Sequence, residues 1–88
     1  MKYSYDEIRN AILKRNVEIL IKYKEELYWL TIDKKSCFGD SDGKVNLIFS
    51  DPEKLLDSAL IDNKTLSDIW EDVDVESYED GWNKTKNL

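Results

Sequence analysis

Residues 68–80 read DIWEDVDVESYED and carry seven carboxylates, Asp68, Glu71, Asp72, Asp74, Glu76, Glu79 and Asp80, with no Lys or Arg among them. Leu66, Ile69, Trp70 and Val73 recur at helical spacing behind Thr65, a residue suited to cap a short helix. After Val73 the pattern divides. Val73 and Val75 are β-branched and alternate with Asp74 and Glu76, so the helix either runs on through Ser77 or gives way to extended chain. If it runs on, Asp68, Asp72, Glu76 and Asp80 stand at successive i,i+4 positions with Glu71 and Glu79 close by, which makes an acidic ridge. Like charges at that spacing cost the helix roughly a few tenths of a kcal/mol per pair. If the chain is extended, the carboxylates splay apart and a plain solvated face becomes the simpler reading.

Upstream, Ser50-Asp51-Pro52-Glu53 marks another helix start. Ser50 and Glu53 satisfy a capping box, and Asp51 before Pro52 offers an alternative cap with proline at the first helical position. Leu55, Leu56, Ala59 and Leu60 form the expected stripe, which Asp62-Asn63-Lys64 interrupts. At the other end of the chain Ser4 and Glu7 form a capping box, with Tyr3 and Ile8 at the positions of a hydrophobic staple. The spacing of Ile8, Ala11 and Ile12 predicts a helix from Tyr5 to near Asn16, closed by basic Lys14 and Arg15.

Between these helices the period is two. Val17, Ile19, Ile21 and Tyr23 alternate with Glu18, Leu20 and Lys22 in a first strand, and a polar turn at residues 24–26 leads to a second over residues 27–33. Leu27, Trp29 and Thr31 point one way there and Tyr28, Leu30 and Ile32 the other, so this strand is expected to be central and partly covered on both sides. Residues 34–44 read as a connection with a turn at Asp42-Gly43, and Val45, Leu47 and Phe49 mark a third strand. The expected fold is therefore α+β, α-β-β-β-α-α: a three-stranded antiparallel sheet with helices packed against it. A single domain over residues 1–82 with a frayed tail at 83–88 follows from the length of 88 residues.

Charge is divided along the chain. Residues 1–35 hold eight basic and six acidic side chains, whereas residues 36–88 hold five and thirteen, within a net charge of −6. Phosphate binding needs cationic groups, so the C-terminal half disfavours direct contact with nucleic acid or an anionic membrane and favours a basic partner. No run approaches the roughly 18 apolar residues of a membrane span. The lone Cys37 forms no intramolecular disulfide, and a cytoplasmic setting is expected.

Catalytic and cofactor motifs are absent. There is no histidine to activate Cys37, and Asp40-Ser41-Asp42-Gly43 fails as a calcium loop because Phe38 and Phe49 fall where carboxylates should stand. Neither a metal nor another cofactor is expected. Most of the ten aromatic residues read as core, but Trp82, beside Gly81 and beyond the last apolar stripe, reads as a clasp or an interface anchor.

In length, in its helix, strands, helices order and in the acidic DIWEDVDVESYED stretch, the chain resembles the small acidic proteins with which phages block bacterial defence nucleases, notably anti-CRISPR proteins. Bacterial toxin-immunity proteins share the same logic. The resemblance implies a non-enzymatic inhibitor whose acidic C-terminal face masks a basic, nucleic-acid-handling surface of a partner, with Asp68, Glu71, Asp72, Asp74, Glu76, Glu79, Asp80 and Trp82 as partner-binding residues. The alternative is a structural homodimer built through a sheet face or strand edge, in which the acidic segment serves only solubility.

Overall fold

The chain between the two ends folds around an antiparallel sheet, and the computed structural model describes residues 3–14, 16–58 and 60–80. The elements in order are helix α1 (Tyr5–Lys14), strands β1 (Val17–Tyr23), β2 (Glu26–Ile32), β3 (Ser36–Asp40) and β4 (Asn46–Phe49), helices α2 (Pro52–Asp57) and α3 (Leu66–Ile69), a 3-10 turn at Trp70–Asp72, and strand β5 (Asp74–Asp80). The class is α+β as the sequence implies, but the sheet has five strands rather than three, in the order β4-β3-β2-β1-β5.

The first added strand, β3, lies inside the segment expected to be a connection. Its sequence SCFGD carries a single large apolar residue, Phe38, yet Ser36, Phe38 and Asp40 are all buried. Tertiary pairing on β2 holds it, with Leu30 opposite Phe38 and Trp29 opposite Gly39. The β3–β4 turn then closes through Asp40, whose carboxylate accepts the Val45 N–H at 3.1 Å, with Gly43 at φ +78°.

The second added strand, β5, resolves the divided pattern after Val73 in favour of extended chain. Thr65 caps α3 as the sequence specifies, accepting the Asp68 N–H while the Asp68 carboxylate accepts the Thr65 N–H. Helical structure stops at the 3-10 turn. Val73, fully buried, adopts φ −98° and ψ 135°, and residues 74–80 pair with β1 along its length. The helical ridge over Asp68, Asp72, Glu76 and Asp80 is therefore not formed. Its members are divided among a capping box, a 3-10 turn and a strand.

Smaller departures have local causes. α1 ends at Lys14, and the chain leaves through Asn16 at φ +59°. β2 begins at Glu26, because the hairpin loop is only Lys24 and Glu25, both at positive φ, the form whose twist matches paired strands. Asp51 rather than Ser50 caps α2 by accepting the Lys54 N–H at 2.9 Å, and the helix is over by Asp57, so half-buried Leu60 follows it instead of extending its stripe. Ala59, Trp82 and the tail at 83–88 lie outside the described residues. No described helix is long and apolar enough to cross a membrane.

Register assigns every strand residue a face. Val17, Ile19 and Ile21 stand opposite Ile32, Leu30 and Tyr28 and are fully buried beneath the helices, which contribute Ile8, Ile12, Leu55 and Leu66 among others. Burial raises the pKa of Tyr28 and of Tyr5 above the ordinary tyrosine range, with Glu26 adding to the effect at Tyr28. The start of the described chain meets its last elements at Trp70. Its indole N–H donates to the Tyr3 carbonyl at 2.8 Å, Tyr5 sits edge-on to its ring, and the Tyr3 ring stacks on Tyr78 of β5 at 5.0 Å. Trp70→Phe leaves that carbonyl without its donor and is expected to cost about 1–3 kcal/mol in urea unfolding; an unchanged midpoint would show that the bond contributes nothing.

Candidate functional site: the open sheet face and its acidic edge

All described helices lie on one side of the sheet. The other side, expected to be partly covered, has no described element across it, and its composition follows from the register in three rows. The first runs Glu79, Glu18, Thr31, Cys37, Ile48; the second Ser77, Leu20, Trp29, Gly39, Asn46; the third Asp74, Lys22, Leu27. Apolar side chains thus occupy the middle of a surface whose β5 margin is acidic.

Trp29 shapes this surface. A Cβ built on Gly39 would stand 2.8 Å from Trp29 Cε2 and 2.9 Å from the Val45 carbonyl oxygen, so the indole lies against β3 in a space that only glycine leaves open. With the ring held toward β3, a depression of about 450 Å³ remains over β1, lined by Glu18, Leu20, Trp29, Thr31 and Ser77 among others. Ile48, on the edge strand β4, is 61% exposed at the far end of the first row.

The acidic residues singled out from the sequence distribute as follows. Asp68 is spent in the α3 capping box, and Glu71 and Asp72 are exposed on the 3-10 turn. Asp74, Glu76 and Glu79 are exposed along β5, an edge strand of the sheet among the described residues; Asp80 ends that strand, its backbone opposite Val17. The register of β5 shifts between Leu20 and Ile21, which stand opposite Ser77 and Val75, so Glu76 is the extra residue of a bulge. The structure therefore gathers four of the seven carboxylates, Asp74, Glu76, Glu79 and Asp80, on one strand and leaves the other three in the capping box and the 3-10 turn.

Sequence reasoning did not single out Glu18, Leu20, Trp29, Thr31 or Ser77. One signal was present: Leu20 is a large apolar residue on the polar side of β1, and Trp29 stands on the second apolar side of β2. Among the described residues the three helices cover only one face, and that second apolar side has no described element across it.

Among the described residues no group of three or more Cys, Asp or Glu converges to hold a metal ion. Cys37, the free thiol, is half-buried between Thr31 and Ile48 in the first row. Comparison with protein-family models, with curated proteins and with solved structures finds no match.

Glu18 and Glu79 are direct cross-strand neighbours on the open side, and like charges so placed destabilise a sheet. Glu79→Lys is expected to raise stability by about 0.5–1 kcal/mol in denaturant unfolding, and adding Glu18→Lys to it should return the gain by restoring a like-charged pair. Equal stability of all three proteins would show that the two side chains do not sense each other.

Proposed function

We propose that this chain is a non-enzymatic inhibitor that lays its β5 edge and the adjoining open sheet face on a basic, nucleic-acid-handling surface of a partner protein. The observation that supports this reading most is the Glu18–Glu79 juxtaposition on a partly apolar face that no described element crosses. The isolated fold gains nothing from it, whereas a cationic partner would turn the repulsion into attraction and speed encounter. Leu20, Leu27 and Trp29 supply the apolar centre that a protein interface needs in addition to charge. Occupying a surface built to hold phosphates is enough to inhibit it, so no chemistry is required of the chain. Asp74, Glu76 and Glu79 carry the reading on β5; Glu71 and Asp72 extend it on the preceding turn.

A second reading, homodimerisation, draws on β4. This edge strand exposes Ile48 and, at 37%, Leu47, and among the described residues no further strand pairs with its outer side.

The test uses the triple variant Asp74→Lys, Glu76→Lys, Glu79→Lys, whose changes fall on exposed positions. A partner captured from lysate by the wild-type chain should bind the variant at least about tenfold more weakly, lose affinity as salt rises, and compete with nucleic acid. Equal affinity of both proteins at low and high salt would refute the proposal. A tight dimer in sedimentation, with no captured partner, would select the second reading instead.

A further inference from the structure

The depression beside Trp29 has a more specific chemistry than the face around it. It is lined by apolar Leu20, by Trp29, which lies against Gly39, by the hydroxyl-bearing residues Thr31 and Ser77, and by acidic Glu18, with Glu79 directly across the strand pair. We infer that this depression receives the side chain of an arginine presented by the basic partner, an assignment that rests on the binding reading above.

The chemistry of the lining selects among occupants. A purely apolar side chain would suit Leu20 and Trp29 but would draw water from Glu18 without returning a partner to it. A nucleic-acid base could stack on Trp29, as bases do on aromatic residues of sheet surfaces, but its phosphates would meet Glu18, Glu79 and the β5 carboxylates, where such platforms supply cations. A long side chain ending in a cation meets every part of the lining. Its methylene stem lies on Leu20, and its charge reaches Glu18 and Glu79. Arginine is favoured over lysine because the planar guanidinium stacks on an indole, pairs with a carboxylate through two parallel N–H donors, and gives up its hydration more readily. The indole is fixed before binding, because the close approach of Trp29 to Gly39 already sets the ring, so little ordering remains to oppose association.

The experiment titrates the isotopically labelled full chain with the N-acetyl amides of arginine, citrulline, lysine and norleucine, reading the Trp29 indole N–H and the amides of Leu20, Thr31 and Ser77. The arginine probe should shift these four signals together and saturate at the lowest concentration, with citrulline, its neutral near-isostere, at least about fivefold weaker. Glu18→Gln, which leaves the apolar lining intact, should weaken the arginine probe severalfold and leave norleucine unchanged. Binding of citrulline within twofold of arginine, equal binding of lysine, or shifts confined to residues outside the depression would each overturn the assignment. The failure of this inference and of the wider reading are distinguishable. If the arginine probe leaves the four signals still while the triple variant nevertheless loses its partner, the pocket assignment falls and the β5 reading stands.

Discussion

The pairing of β5 with β1 is the constraint on which the rest of the structure depends. β1 buries Val17, Ile19 and Ile21 completely, so it must sit inside the sheet, and without β5 its outer backbone would have no ladder on that side. Six residues of β5 close that ladder around the bulge at Glu76, and the turn that feeds them is fixed by the burial of Trp70 and Val73. Trp70 in turn holds Tyr3 and the entry to α1, while Tyr78 stacks on Tyr3. The two ends of the described chain therefore stabilise each other through one edge of the sheet. A helix continued past Val73 would forfeit all of these contacts at once.

That arrangement also explains why the strand is so acidic. A free edge of a sheet invites pairing with other chains, and charged side chains are one means of blunting it. Asp74, Glu76 and Glu79 do this on β5, and the bulge at Glu76 disturbs the flat edge further. The opposite edge is managed differently: β4 is only four residues long and carries Leu47 and Ile48 outward. Protection of an edge does not, however, require carboxylates on the sheet face itself. Glu18, within β1, opposes Glu79 there at a cost to the isolated fold, and it lies next to the Trp29 depression. This separation between charge that guards an edge and charge that borders an apolar hollow is what favours binding over solubility alone.

Much of the fold was legible in the sequence, and the parts that were not have physical reasons. The capping box at Ser4–Glu7 and the Thr65 cap act over three residues and depend on nothing distant, so local reasoning finds them, whereas at α2 it offered both Ser50 and Asp51 and the structure uses Asp51. β1 and β2 are legible because Val17, Ile19 and Ile21 on one and Tyr28, Leu30 and Ile32 on the other recur at a period of two along the buried face. β3 was hidden because SCFGD owes its place to neighbours: Phe38 stacks on Tyr28, and Gly39 yields room to Trp29. β5 was half legible: Val73 and Val75 alternate with Asp74 and Glu76, but the bulge at Glu76 breaks that alternation and brings Val75 and Tyr78 to the inner side three residues apart, so the sequence pattern alone did not choose between strand and helix. The candidate surface was legible only in part. The carboxylates are conspicuous in the sequence, but the hollow they border is made by register, and register cannot be read from one strand alone.

The account stands or falls on residues 74–80 being a strand paired to β1. Nuclear Overhauser contacts in the isolated protein test this directly. Interstrand contacts linking Ile19 with Tyr78 and Glu18 with Glu79 are predicted, together with slow exchange of the amides that β1 and β5 share. Helical contacts between residues three apart from Val73 to Asp80, with rapidly exchanging amides along the outer side of β1, would contradict it. The open face would then lose its acidic margin.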